Sequence, residues 1–230
     1  MGALYEDSFV LESLNEQRVF TRVSTAAHTL YEKSDPYILP GPGGTIDLMQ
    51  TRFEPLDGRR VRVSGTRFLP SDPYTVKLEG VKSVGFRTIS ICGIRDPVLI
   101  GQIDSILNCV KDQAGKDLDH NGKILFHVYG KNGVMGIMEP DKGHLPHEVG
   151  IVIEVVSPSQ EESDATCAYV RSTLLHYGYP GRISTAGNLA FLYSPSDISY
   201  GEIYEFNIYH LMDIHDPLSL FPITVHEVHS

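Results

Sequence analysis

Alternating apolar and polar residues mark the first clear strands of the chain. In residues 60–65 and 74–79 the apolar side chains recur at every second position, which is the period of a strand with one face in water. Residues 85–92 form a third strand candidate. Before residue 58 no clear period is present, and the proline- and glycine-rich residues 40–44 predict a loop, since they suit neither a helix nor a regular strand.

After residue 94 the period changes to that of a helix. Asp96 followed by Pro97 is a favoured helix start, because the Asp96 carboxylate can accept a hydrogen bond from a backbone amide that has no helical partner. The apolar positions that follow at helical spacing are Ile100, Ile103, Leu107 and Val110. We therefore expect a helix that continues to about residue 113.

A second helix and four further strands complete the predicted order. Residues 157–159 can cap this helix, which we expect to end near Tyr177 with Gly178 in the left-handed conformation. The predicted strands are residues 123–130, 149–156, 188–193 and 204–211. The second of these is apolar enough to lie centrally in its sheet.

From residue 86 onward the elements follow the order β, α, β, β, α, β, with one extra strand. This is the order of a ferredoxin-like (split βαβ) fold, an antiparallel sheet with two helices on one face. The sequence therefore predicts an α+β protein in three parts. These parts are an irregular and β segment with the Gly/Pro-rich loop at 1–84, the ferredoxin-like domain at 85–212 and a tail at 213–230.

The composition and net charge of the chain exclude some classes of binding partner. The chain has 230 residues, of which 41% are hydrophobic, and 19 basic against 29 acidic residues give a net charge of −10. Such a charge repels phosphate backbones and anionic lipid, so we expect neither nucleic acid nor membrane as a partner. The three cysteines, Cys92, Cys109 and Cys167, are odd in number and widely spaced. This pattern favours reduced thiols in a cytoplasmic protein.

Three local clusters could carry chemistry, and each has a simpler explanation. The glycine loop could present amides to a phosphate or carboxylate, or it could be a structural turn. Two histidines and a glutamate at 144–148 could bind zinc or work as an acid/base pair, but Pro146 prevents a helical arrangement and a solvated loop is favoured. Arg95 and Asp96 stand where a strand meets a helix, and Asp96 as a cap explains them without a ligand. We assign no metal site.

Six segments of the chain together resemble one family. In order they are residues 26–33, 39–44, 60–65, 74–80, 93–97 and 185–191. The chain resembles the acyclic terpene utilisation (AtuA-like) family over roughly residues 20–210, specifically the C-terminal half of its members. The resemblance implies catabolism of branched acyl compounds, as acids or coenzyme A thioesters, in the cytoplasm. It also implies a ferredoxin-fold module near the C-terminus.

The site residues that we expect come from this family-like sequence. His28 and Glu32 would share one face if their segment is helical, since they are four residues apart, and they form the expected acid/base pair. Gly43 and Gly44 with Arg95 would hold the carboxylate or thioester oxygen. Asn188, a polar group at one end of a predicted strand, is a further substrate-binding candidate.

Two functions follow as hypotheses. The first is an enzyme, or the small subunit of a split enzyme, with hydratase/lyase or hydrolase activity on a carboxylic acid or acyl-CoA. We expect it to need no cofactor, and a coenzyme A thioester is a possible substrate. The second is a non-catalytic subunit that stabilises a separate catalytic chain resembling the family's N-terminal half, which is missing here. In both cases we expect an oligomer.

Overall fold

The computed structural model describes residues 1–31, 33–118 and 121–227. Within these residues the protein is α+β, with antiparallel sheets and four α-helices. It divides into two compact units. The first unit comprises Met1–Gly80 and Asn207–Ser230, and the second comprises Val81–Phe206. No helix in the described ranges is long and apolar enough to cross a membrane.

The first unit contains two small antiparallel sheets and one helix. Its elements are β1 (Gly2–Leu4), β2 (Ser8–Glu12), α1 (Arg22–His28), β3 (Ile38–Gly41), β4 (Gly44–Asp47), β5 (Arg52–Pro55), β6 (Arg60–Ser64) and β7 (Arg67–Pro70). One sheet has the strand order β1-β2-β6-β5 and the other the order β3-β4-β7. The alternation at 60–65 thus predicted a real strand, β6.

Helix α1 begins with a capping box and contacts strand β5. The Thr21 side chain accepts a hydrogen bond from the Ser24 amide, and the Ser24 side chain accepts one from the Thr21 amide. In the four-stranded sheet, Val63 pairs with Phe9 on one side and Phe53 on the other. Because paired residues point to the same face, these three apolar side chains form a row across the sheet.

The second unit is built around one larger sheet. Its elements are β8 (Tyr74–Ile94), which begins in the first unit, α2 (Pro97–Gly101), α3 (Ile103–Asp117), β9 (Lys123–Tyr129), β10 (Val149–Ser157), α4 (Gln160–His176), β11 (Ala190–Phe191) and β12 (Asp197–Ile214), which ends in the first unit. The strand order is β11-β8-β10-β9, and β12 also pairs with β8. Strand β10 is antiparallel to both of its neighbours, and β11 is antiparallel to β8.

The core of the second unit lies between this sheet and its helices. Strand β10 buries alternate side chains completely, namely Ile151, Ile153 and Val155. The apolar stripe predicted after Pro97 is fully buried and belongs to the same core cluster, which also includes Cys167 and Val170 of α4. The helical periodicity therefore identified the buried face correctly.

Several boundaries differ from the sequence predictions. The strands expected at 74–79 and 85–92 are one continuous strand, β8, because the chain between them stays extended. The helix expected at 97–113 is two helices, since Gln102 (φ −113°, ψ 7°) departs from helical geometry between them. The strand expected at 188–193 shortens to β11, whereas that expected at 204–211 lengthens to β12.

The cap residues predicted from the sequence can be compared with the observed ends of the helices. Asp96 caps α2 with Pro97 in its first turn, and Ser159 caps α4, so both predicted N-terminal caps are confirmed. The predicted left-handed Gly178 is wrong, because the positive-φ glycines do not include it. Tyr177 ends α4 in an extended conformation (φ −60°, ψ 126°), and the chain leaves the helix without a left-handed residue.

Candidate functional site

An apolar pocket lies in the first unit where α1 meets the four-stranded sheet. We call it the α1 pocket. Its volume is about 270 Å³. The row of Phe9, Val63 and Phe53 contributes sheet side chains to its wall, and Thr25 and His28 contribute side chains from the helix. The pocket is therefore mainly apolar, with a titratable group and a hydroxyl on its helical side.

His28 is the titratable side chain of the α1 pocket. It occupies the last turn of α1, and its side chain is exposed. Its ring meets that of Tyr31 edge-on, with the ring centroids 5.8 Å apart and the planes at 76°. An exposed imidazole beside an apolar pocket can exchange a proton with the polar end of a ligand whose carbon chain lies inside. Helix α1 ends at His28, and Glu32, the expected partner, lies outside the described residues.

Thr25 adds an unsatisfied polar group to the same pocket. The residue is only 7% exposed, and its hydroxyl has no hydrogen-bond partner. A buried hydroxyl without a partner costs about 1–3 kcal/mol, so such groups in native proteins call for an explanation. A ligand in the α1 pocket could supply the missing partner. The sequence analysis missed Thr25, because a threonine inside a helix carries no local signal of function.

Gly43 and Gly44 form a tight turn in the first unit. The Gly43 amide donates to the carbonyl oxygen of Thr75 (2.9 Å) and to its hydroxyl (3.1 Å). Gly43 has a φ of +70°, and a Cβ atom at Gly44 would stand 2.5 Å from the carbonyl oxygen of Leu69. The positive φ at position 43 and the close approach of the Leu69 carbonyl at position 44 explain why both residues are glycine. A substrate oxygen at the Gly43 amide would have to displace Thr75.

In the second unit, Asp96, Tyr179 and Asn188 form a hydrogen-bonded cluster. The Tyr179 hydroxyl donates to Asp96 Oδ2 at 2.5 Å, and Asn188 Nδ2 lies 2.9 Å from the same oxygen. Asn188 Nδ2 also donates to the Tyr179 oxygen at 2.5 Å, and Asn188 Oδ1 accepts from the Thr185 amide at 2.7 Å. The cluster thus ties the start of α2 to the loop that follows α4.

The environment shifts the pKa values of two cluster members in opposite directions. Burial by itself would raise the pKa of Asp96, but hydrogen bonds from Tyr179, the Val98 amide and Asn188 outweigh it and hold the pKa below its ordinary value. Burial, followed by the hydrogen bond to Asp96 and its charge, raises the pKa of Tyr179 to about 12. At neutral pH the cluster therefore contains a carboxylate and a neutral phenol.

Arg95 lies next to this cluster. Its amide donates to the Gly187 carbonyl oxygen (2.8 Å), and its guanidinium Nη1 donates to the His147 carbonyl oxygen (2.8 Å). Arg95 and Thr185 line a surface pocket of about 400 Å³. The structure therefore brings two of the predicted binding residues, Arg95 and Asn188, into one region of the second unit.

Tyr179 is a further residue that the sequence analysis missed. Its partners Asp96 and Asn188 are 83 and 9 residues away in the chain, so no local pattern connects all three. The two histidines at 144 and 147 are exposed on a loop. Among the described residues, no three His, Cys, Asp or Glu side chains are grouped so that they could hold a metal ion.

Comparison with known proteins identifies the family. The family model described as "Acyclic terpene utilisation family protein AtuA" matches residues 8–194. The chain belongs to this family. No curated protein and no solved structure matches the chain. The resemblance noted from the sequence is thus confirmed as to the family.

Membership in the AtuA family implies a role in acyclic terpene utilisation. The matched segment includes His28 and Thr25 of the α1 pocket and the complete Asp96–Tyr179–Asn188 cluster. Strand β12 lies entirely after the matched segment. Both groups of polar residues therefore belong to the part of the chain that resembles the AtuA family.

Proposed function

We propose that the chain acts on a carboxylic acid, or on its coenzyme A thioester, that carries a branched or terpenoid carbon chain. It would act as an enzyme or as the small subunit of a split enzyme, in the cytoplasm. The reaction would be a hydration or its reverse, or a hydrolysis. The observation that carries this proposal is the position of His28 beside the apolar α1 pocket.

The size of the α1 pocket supports a substrate of this class. A cavity of about 150 Å³ accommodates benzene, which has six carbon atoms. By the same ratio, the 270 Å³ of the α1 pocket leave room for about eleven carbon atoms. The rings of Phe9 and Phe53 and the branched Val63 offer an apolar surface to such a chain. The substrate's reacting end would then lie near the imidazole of His28.

Each predicted site residue keeps a proposed role. His28 would be the acid/base, and Glu32 would orient it. Gly43 and Gly44 would contact a substrate oxygen in the first unit, at the cost of the contacts with Thr75. In the second unit, Arg95 would bind a carboxylate or thioester oxygen, with Asn188 as its neighbour.

We also propose that the second unit is a ferredoxin-like module. Numbered along the chain, β8, β9, β10 and β11 are strands 1 to 4, and their order in the sheet is 4-1-3-2. Helix α3 follows strand 1, and α4 follows strand 3. This strand order, with one helix after strand 1 and one after strand 3, supports the proposal of a split βαβ fold.

A substrate panel tests the enzymatic proposal. The purified protein is incubated with linear and branched acids and acyl-CoA thioesters of about four to twelve carbon atoms, which brackets the estimated pocket size. Mass spectrometry distinguishes hydration, which adds one water, from hydrolysis, which releases coenzyme A. We expect turnover of branched members of the panel. If the protein turns over no panel member, either alone or with any chain that copurifies with it, the proposal is wrong.

Two histidine variants assign the catalytic role. His28→Ala should lower turnover by about 10²- to 10⁴-fold, the usual contribution of a general acid or base. His176→Ala is the matched control, because His176 is also an exposed histidine in the last turn of a helix, α4. It should keep wild-type turnover. Unchanged turnover in His28→Ala would remove His28 from the mechanism.

The alternative, a non-catalytic subunit docked on a separate catalytic chain, is favoured by one observation. The segment after β9 exposes four large apolar side chains, with Val134 85%, Met135 51%, Ile137 89% and Met138 74% exposed. Neighbouring exposed apolar groups often mark a protein interface. Native mass spectrometry of the untagged protein from its own cells tests this alternative. A stoichiometric second chain supports it, whereas a homo-oligomer with a bound small molecule contradicts it.

A further inference from the structure

A second pocket in the first unit is rich in cationic groups. We call it the lysine pocket. Its volume is about 360 Å³, and Lys33, Lys77 and His210 line it together with Tyr209. Apolar side chains, including Ile38, complete the wall. A concentration of amino and imidazole groups is unexpected in a chain whose net charge is −10.

Lys33 brings a positive charge that no described carboxylate neutralises. Its ammonium donates to the carbonyl oxygen of Pro36 at 3.1 Å and forms no salt bridge with a carboxylate in the described part of the chain. Asp35 is close in sequence, but its Oδ1 accepts hydrogen bonds from the amides of Tyr37 (2.7 Å) and Ile38 (3.0 Å). The Lys33 charge is therefore available to an anion that enters the pocket.

Lys77 supplies the second charge. Its Nζ lies 2.5 Å from Glu79 Oε1 and 4.6 Å from the centroid of the Tyr209 ring. The hydrogen bonds with Glu79 and then Tyr209 raise the pKa of Lys77 above its ordinary value, so it remains an ammonium at neutral pH. An anion in the pocket would share Lys77 with Glu79. The Tyr209 hydroxyl and the His210 imidazole add two further hydrogen-bonding groups.

We propose that the lysine pocket binds the phosphate groups of a phosphorylated ligand. Lysine is a point-charge ligand that suits phosphate, and two ammonium groups with neighbouring donors match several phosphate oxygens better than one carboxylate. The apolar wall would contact the organic part of the ligand. Resting on the proposed function, we infer that the phosphates belong to the coenzyme A end of a thioester substrate rather than to a free acid.

The chain connection limits the distance between the two pockets. Lys33 follows His28 by five residues. Five extended residues span at most about 18 Å, so the backbone of the lysine pocket starts within that distance of the α1 pocket. A ligand of about this length would therefore be long enough to reach from His28, beside its acyl chain, to Lys33, beside its phosphates.

Binding measurements without turnover test the phosphate site by itself. Isothermal titration calorimetry with inorganic pyrophosphate should detect binding that weakens as salt is added. Lys33→Ala and Lys77→Ala should each weaken it at least about tenfold, the lower end of the range for a hydrogen bond between charged groups. Lys82→Ala is the control, because Lys82 is an exposed lysine of the second unit paired with Glu205. It should bind pyrophosphate as wild type does.

The outcomes separate this inference from the proposed function. No pyrophosphate binding, or binding that Lys33→Ala leaves unchanged in a variant with wild-type circular dichroism, overturns the phosphate site. His28→Ala should bind pyrophosphate normally, so a failure of the proposed catalysis leaves this result intact. Free coenzyme A should bind more tightly than pyrophosphate and depend on Lys33. If it binds no more tightly, the thioester assignment is wrong, and the pocket is a site for inorganic phosphate.

Discussion

Replacing Asn188 with alanine should destabilise the second unit by about 3 kcal/mol. Asn188 is 5% exposed, and three hydrogen bonds depend on its side chain. Its bond to the Asp96 carboxylate contributes about 1.5–3 kcal/mol, because one partner is charged. The neutral bonds to Tyr179 and the Thr185 amide contribute about 0.5–1.5 kcal/mol each. Their sum has a lower bound near 2.5 kcal/mol, and we expect a loss slightly above this bound.

Urea unfolding followed by far-ultraviolet circular dichroism measures this loss. We expect a lower urea midpoint with an unchanged slope, since the surface exposed on unfolding is the same. In a chain of this size a loss of 3 kcal/mol corresponds to a fall in Tm of roughly 6–12 °C. Asn108→Ala is the matched control, because Asn108 is exposed on α3. It should change the free energy of unfolding by less than about 0.5 kcal/mol.

One result would refute the reasoning. If Asn188→Ala unfolds at the same urea concentration as Asn108→Ala, the hydrogen bonds of Asn188 contribute nothing net to stability. The cluster would then not fix the loop after α4 to the start of α2, and Asn188 would be dispensable for folding. A binding role would become the better explanation of its position beside Arg95.

Two further predictions concern titratable groups. Because the folded pKa of Asp96 is lowered, its stabilisation is complete above the unfolded value of about 3.9 and is lost as the pH falls through the folded pKa. In the wild type the urea midpoint should therefore fall as the pH is lowered below about 4, and in Asp96→Asn it should fall less steeply. An equally steep fall in the variant would contradict the lowered pKa of Asp96. Burial raises the pKa of Cys92 and of Cys167 to about 12, whereas Cys109 is exposed. A thiol reagent should therefore modify one cysteine rapidly, and Cys109→Ser should abolish this rapid reaction. Rapid modification of a second thiol would show that Cys92 or Cys167 is not buried.

Features that depend on neighbouring residues were predictable from the sequence. The Asp96 and Ser159 caps and the buried stripe of α3 follow from hydrogen bonds and periodicities that involve only a few consecutive residues. The break at Gln102 was not predictable, because the apolar period continues across it. Nor was the extended end of α4, because a glycine after a helix permits the left-handed conformation without requiring it.

In the candidate site, too, some features were predictable from the sequence and others were not. The segment containing His28 was chosen for its resemblance to the AtuA family, but its place beside an apolar pocket depends on β2, β5 and β6. The unsatisfied hydroxyl of Thr25 exists only because packing buries it without a partner. The Asp96–Asn188 contact joins residues 92 positions apart. Such contacts depend on how distant segments pack, which no short sequence window contains.

The sequence by itself determined the secondary-structure periods and the N-terminal helix caps, because these depend on the types of nearby residues. It also determined the family, because the order of six short segments along the chain is a property of the sequence alone. The tertiary structure alone decided which polar groups are buried, which hydrogen-bond partners they find and where two pockets open in the first unit. The physical reason is that burial and distant hydrogen bonds arise only when separate strands and helices pack together. The α1 pocket and the lysine pocket are products of that packing.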